Sequence, residues 1–244
     1  MTTVCKLAGI PVAFHHRSPG FRERMRGYLT EEAPLFTVGA EEGEVLSEMA
    51  ATGRLTPIGD EANYAYHEAL VLYRRFAECL PAHGGFLLHA ALLSVEGTGI
   101  AVTAKSGVGK STHASLWRAM LGDDCRILNG DKPPVRRGEG GLFYGYGTPF
   151  AGKEGWQENA SAPIRHLLLL ERGKDDRITP LSPSEAFPLL YPSLLLPREE
   201  GALAVLLPLV GEFLHSVKVY RASVTKNPSA AKTAYQVLLK GDLS

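Results

Sequence analysis

The apolar positions change texture at Phe86, and the change divides the chain. Residues 1 to about 60 read as short strands and turns with one helix. Residues 10–14 predict a strand, and residues 41–51 have mixed helical character. Residues 61–80 are clearer. Tyr66, Ala69, Leu70, Tyr73, Phe76, Ala77 and Leu80 recur at helical spacing, Asp60 stands where a cap belongs, and Pro81 with Gly84-Gly85 ends the run. From Phe86 the segment F-L-L-H-A-A-L-L-S-V is apolar at successive positions, as in one strand of a sheet covered on both faces. E-G-T-G follows as a turn, and I-A-V-T-A is a second strand. That strand runs into S-G-V-G-K-S-T and a helix over 111–121, closed by Gly122. Strands are predicted at 125–128, 142–146 and 165–171. The rest reads as a helix at 184–190, a helix at 198–213, a strand at 216–222 and a last helix capped by Asn227 with Pro228 at its first position. The expected fold is α/β, with a mixed sheet implied by the hairpin and flanking helices. The expected division is an N-terminal α+β region, 1–84, packed on a core domain, 85–244.

Composition narrows the partners. Of 244 residues, 45% are apolar and 21% charged, and 26 basic residues balance 26 acidic ones, which gives no basic excess for nucleic acid. The most apolar stretch, residues 202–214, holds Pro208, Gly211 and Glu212 and is too short to span a bilayer. Cys5, Cys79 and Cys125 are widely spaced and form no CxxC pair, which suits reduced thiols. With no apolar run behind basic residues at the N-terminus, a cytoplasmic location is expected. Nothing here fixes an oligomeric state, and a homo-oligomer stays open.

The chemistry concentrates at residues 104–111, A-K-S-G-V-G-K-S, the pattern of a phosphate-binding loop with Ala104 in place of the first glycine. A strand enters it and a helix leaves it, as the mechanism requires. Gly107 and Gly109 free the backbone, so that the N–H groups of residues 106–109 (Ser106, Gly107, Val108, Gly109) can turn toward phosphate oxygens at the positive end of a helix. Lys110 would reach the β- and γ-phosphates of ATP. Ser111 would offer its hydroxyl to Mg2+, and Thr112 its own to the α-phosphate. His113 and Trp117, four apart on the helix, could approach a base or pack the helix. I-L-N-G-D-K-P sets Asp131 just beyond a short strand, where sites gather in open α/β sheets. There it would accept a proton or share the metal, although N-G-D is also what a surface turn looks like. A hairpin closed at Gly97-Thr98 places His89 opposite Ser106, in the site or as a buried structural histidine. The Gly- and aromatic-rich stretch 144–159 reads as a ligand-covering or a solvated loop. In it Lys153 could neutralise phosphate, held by Glu154.

These residues resemble the core of the HPr kinase/phosphorylase group, whose P-loop architecture is shared with the phosphoenolpyruvate carboxykinases. The resemblance implies a histidine before the hairpin, an S-G-x-G-K-S loop and an aspartate after the next strand, matched by His89, residues 106–111 and Asp131. It implies for Asp131 the part of base toward a serine hydroxyl. Small bacterial HPr-kinase-related proteins are more similar still, through I-x-N-G-D-K-P (127–133), Y-G-T-P (146–149), G-K-E-G-W (152–156) and N-x-S-x-P (159–163). The chain departs from true HPr kinases where Thr112 and Lys132 replace acidic residues, and it lacks their Arg-Gly-Leu-Gly signature. It has no second His/Asp cluster of the kind a carboxykinase uses for manganese. The expected activity is therefore ATP- and Mg2+-dependent phosphoryl transfer to a hydroxyl, on a serine of a protein or peptide or on a small molecule. A regulatory nucleotide-binding module and an NTP hydrolase are the alternatives.

Overall fold

The structure, a computed structural model, describes residues 1–52 and 61–241. The chain forms two compact units, Met1–Leu80 and Pro81–Ser244. Asp60, expected as a helix cap, lies outside the described residues.

In the first unit β1 (Thr2–Leu7) and β2 (Ile10–His15) pair antiparallel, and β3 (Phe36–Gly39) joins β2 in parallel. The turn is Ala8–Gly9, both at positive φ (51° and 74°), which matches the twist of a two-residue hairpin. Two α-helices stand before residue 60 among the described residues, α1 (Gly20–Arg24) and α2 (Glu42–Ala51), where one was expected, and α3 (Glu61–Cys79) forms where the helical spacing predicted it. α2 is closed by a capping box between Glu41 and Glu44, which gives a mixed-looking segment a definite start.

The second unit corrects the sequence reading at its first strand. F-L-L-H-A-A-L-L-S-V is two strands, β4 (Gly85–Leu87) and β5 (Ala90–Val95). β5 pairs with β6 (Thr98–Ala104) and β7 (Cys125–Asn129), whereas β4 pairs with β8 (Pro134–Arg137). At the break the amides leave the ladder: Leu88 N–H goes to Pro133 O at 3.2 Å and His89 N–H to Ser193 O at 2.7 Å. A continuous and a broken strand have nearly the same apolar pattern, because every residue from Gly85 to Val95 except His89 is buried in either case. The hairpin register also differs. Glu96 and Gly97 form the turn at φ 51° and 77°, and Ala90 lies opposite Thr103, so His89 comes level with Ala104 and not with Ser106.

The remaining strands are β9 (Phe143–Tyr146), β10 (Ser161–Arg172), β11 (Arg177–Leu181) and β12 (Lys218–Val224). Around β10 the order is β11-β12-β10-β6-β5-β7, and the start of β10 also pairs with β9, which continues to β8 and β4. β12, β10 and β6 run parallel; β5 is antiparallel to both β6 and β7. The C-terminal ends of β6, β7, β10 and β12 therefore share one edge. β8 and β11 escaped prediction because they are short and carry Pro134 and Pro180, which argue against a strand unless it is an edge.

The four leucines of β10 explain the layers. Leu167 and Leu169 point to one face, against α5 (Pro183–Leu190) and α6 (Glu200–Ser216). Leu168 and Leu170 point to the other, against α4 (Lys110–Leu121) and α7 (Ser229–Tyr235). Fully burying such side chains stabilises the fold by about 1.5–3 kcal/mol each. α7 starts one residue later than expected, with Pro228 as its N-cap and no side-chain cap bond; Asn227 contributes its carbonyl to Ala230 N–H at 3.0 Å. No described helix is long and apolar enough to cross a membrane.

Two buried histidines give the fold an acid limit. Burial pushes His113 down to about 4. Burial, with the charges of Lys218 and Arg165, pushes His166 down to about 4. Both fold neutral, while the unfolded chain takes up protons near the ordinary value of 6.5. The unfolded state thus binds more protons between those values, and stability falls as pH falls from 6.5 to 4. The loss should reach about 3 kcal/mol per histidine. Urea unfolding across this range checks it. His113→Gln should flatten the slope, and an unchanged slope would remove His113 from the effect.

Candidate functional site

The loop between β6 and α4, residues 105–109, turns on glycines. Gly107 has φ 77° and Gly109 φ 124°, where any side chain would be strained. α4 begins directly at Lys110, with Gly109 as N-cap, no side-chain cap bond and no acidic residue in its first turn. α2 and α5 close their first turns with capping boxes; α4 leaves its N–H groups and positive end facing the loop.

Lys110 lies under this loop, its side chain only 11% exposed. Its Nζ donates to Asp131 Oδ1 at 3.1 Å and to the carbonyls of Asp131 and Gly130 at 3.2 and 3.4 Å. Burial lowers the Lys110 pKa, and the Asp131 carboxylate works against that.

Asp131 is held from behind by Asn129. The buried Asn129 Oδ1 accepts the N–H groups of Asp131 and Lys132, both at 2.9 Å, and its Nδ2 donates to Thr148 Oγ1 at 3.1 Å. N-G-D is therefore a structured turn fixed from the core, which aims the carboxylate inward. The Asp131 carbonyl accepts Ala90 N–H at 2.9 Å, which ties this turn to the start of β5. His89 sits at that start. Its Nε2 is 3.2 Å from Asp131 Oδ1, and Lys132 Nζ is 2.8 Å from Oδ2. Burial acts to raise the Asp131 pKa, but hydrogen bonds from His89 and Lys132 and the charges of Lys132 and Lys110 outweigh it and hold it well below the usual carboxylate range.

Asn129→Ala should cost about 2–5 kcal/mol, because it strands two amides that each carry a desolvation penalty. It should also speed hydrogen exchange at the amides of Asp131 and Lys132. Unchanged exchange at those two amides would show that Asn129 does not hold the turn.

The other expected site residues divide. Ser106, Gly107 and Val108 line a cleft of about 710 Å³ that also includes His89. Ser111 is half-buried and Thr112 exposed in the first turn of α4. His113 and Trp117 are packing residues: both are buried, and Trp117 Nε1 donates to His113 Nε2 at 3.0 Å. The stretch after β9 does pass the site. A Cβ on Gly152 would come within 2.9 Å of Asp131 Cβ, and Gly130 N–H bonds Trp156 O at 2.9 Å. Lys153 itself is exposed, and among the described residues no hydrogen bond or ion pair joins it to Asp131, Lys110 or Glu154.

Three residues near the loop carried no sequence signal. Arg172, at the end of β10, donates from Nη2 to Gly107 O and reaches Val108 O from Nε at 3.5 Å. Ser193 Oγ is hydrogen-bonded to Thr103 Oγ1 at 2.8 Å. Arg221, on β12, lines the cleft with Arg172 and Glu171. Among the described residues no group of three or more His, Cys, Asp or Glu side chains could hold a metal by itself.

No family model matches the chain, and no curated protein matches it by sequence. Among solved structures, the Hpr(Ser) kinase/phosphatase from Coxiella burnetii is similar at a TM-score of 0.38 and 10% identity, covering 64% of this chain and 97% of that one.

Proposed function

We propose that the chain is an ATP-dependent phosphotransferase acting on a hydroxyl. One observation carries the reading: an uncapped, glycine-turned helix start, a buried lysine and a positioned carboxylate meet at one edge of the sheet, with Lys110 Nζ 3.1 Å and His89 Nε2 3.2 Å from the same Asp131 oxygen. The loop amides and the start of α4 hold phosphate oxygens. Lys110 exchanges its Asp131 contact for the β- and γ-phosphates and stabilises the charge on the group in transfer. Asp131 accepts the hydroxyl proton, steadied by His89. The new bond joins the acceptor oxygen to γ-phosphorus, the bridge to the β-phosphate breaks, and ADP leaves with that electron pair.

Mg2+ fits the residues present. It binds with few protein ligands plus substrate phosphates, and the Ser111 hydroxyl at the start of α4 would be one of them, with Asp131 Oδ2 the second where Lys132 releases it. When bound it would neutralise phosphate charge. Lys153, exposed next to Gly152 in the stretch that passes Asp131, would add positive charge toward the phosphates.

Incubation with γ-labelled ATP tests the reading. Label should move to a hydroxyl-bearing acceptor. The regulatory module is the second reading, favoured by Lys132 on Asp131 Oδ2 at 2.8 Å, where it competes with a metal. It predicts bound nucleotide that stays intact over hours.

A further inference from the structure

We infer that the cleft beside the glycine loop takes the acceptor as an extended peptide segment, and that Arg221 recognises an acidic residue three or four positions from the hydroxyl. This rests on the phosphotransferase reading above.

The cleft is continuous with the proposed chemistry. His89, 3.2 Å from Asp131, lines one end, and the loop residues Lys105 to Val108 line its side. Its far wall is Leu189, Pro192 and Ser193, at and just beyond the end of α5. A chain lying there meets the loop from the face of the sheet opposite α4.

Charge selects the occupant. Lys105, Arg172 and Arg221 line the cleft against one carboxylate, Glu171. Arg172 is committed to the carbonyls of Gly107 and Val108. The Arg221 guanidinium makes no hydrogen bond or ion pair among the described residues. A further carboxylate near it, Glu185, is taken up at the start of α5, where its Oε2 accepts Ser182 N–H at 2.9 Å and the Ser182 hydroxyl at 2.6 Å, and Asp175 lines an adjoining cleft in which Lys174 and Arg177 oppose it. An exposed guanidinium in a cleft with excess positive charge suits a carboxylate, which it can bind with two parallel hydrogen bonds.

Distance selects a peptide over a small metabolite. From β5, which His89 precedes, to β12, which carries Arg221, there are three strand steps, through β6 and β10. At about 4.8 Å per step this is roughly 14 Å. Extended chain advances about 3.4 Å per residue, so some four residues span it. A single hydroxy acid cannot place its hydroxyl at Asp131 and its carboxylate at Arg221 together. The apolar wall of Leu189 and Pro192 suits a side chain between the two anchors.

The test uses blocked seven-residue peptides of alanine and glycine with one serine, and with glutamate one, three or four positions away on either side. Matched peptides carry glutamine or lysine there. ADP with Mg2+ is assayed separately by thermal shift. Wild type should use glutamate at three or four positions, on one side, about tenfold better in kcat/KM than glutamine, the scale of one charge-assisted contact. Arg221→Gln should reduce that ratio to within about twofold while the ADP shift persists, and Arg221→Glu should turn the preference to lysine. Equal use of glutamate and glutamine peptides by wild type overturns the inference. So does an absence of labelled peptide from a chain that binds ADP. Loss of the ADP shift in Arg221→Gln would assign Arg221 to the nucleotide and overturn it too. A wild type with no ADP shift removes the phosphotransferase reading first, and this inference with it.

Discussion

Lys110→Ala should abolish most of the thermal stabilisation that ATP or ADP with Mg2+ gives the wild-type chain. A ligand at one hundred times its Kd stabilises the native state by about 2.7 kcal/mol. In a chain of this size that corresponds to a Tm rise of roughly 5–10 °C. Lys110 is the cation at the helix start, and its side chain is 11% exposed, so little water screens its field. Removing it takes away the charge that the phosphates would meet. The ligand-free variant should itself melt lower, because Asp131 loses one of its three basic neighbours, Lys110, and keeps His89 and Lys132. The difference between liganded and free Tm is therefore the quantity to compare. Equal shifts in variant and wild type would leave no place for Lys110 in nucleotide binding, and no shift in wild type would end the nucleotide-binding reading.

Asp131→Asn should separate binding from transfer. Asn is nearly the same size but cannot accept the proton, so γ-phosphate transfer should fall by about 10²–10⁴-fold, the scale of general-base catalysis. Affinity for ADP without Mg2+ should hold or rise. In the wild type, bound phosphate has to draw Lys110 Nζ away from Asp131 Oδ1, 3.1 Å away, and in the variant that competing ion pair is gone. The same competition answers a difficulty of the free site. A carboxylate held well below its usual range is a weak base. Withdrawing Lys110 toward phosphate removes one of the charges that hold it there, so Asp131 gains basicity when the nucleotide is in place. Calorimetry with ADP and transfer of labelled γ-phosphate read the two arms independently. Wild-type transfer rates in the variant would take Asp131 out of the chemistry, and weaker nucleotide binding would show that it holds the ligand instead.

Much of the second unit could be read residue by residue. The run Leu167 to Leu170 required a strand covered on both faces, since four successive buried leucines on a two-residue period must face two layers. Gly107 and Gly109 before Lys110 required a strand-to-helix turn with backbone that only glycine adopts easily. Each of these follows from a residue and its near neighbours in the chain. Other features depended on which strands become neighbours. The break at His89 is invisible in an unbroken apolar run; it arises because Ser193 takes the His89 amide while β4 and β5 find different partners. Asn129 could have been suspected from N-G-D, but its amide is fixed by Thr148. The glycine-rich stretch was legible as a loop, but that its backbone at Gly152 comes up against Asp131 was not. Arg172 and Arg221 reach the loop region only because β10 and β12 lie in order beside β6. The sequence by itself determined the loop, its lysine and the layered strands, since local backbone freedom and burial period decide those. The tertiary structure alone decided the company Asp131 keeps and the charges that line the cleft, since contacts between residues far apart in the chain depend on the order of strands in the sheet.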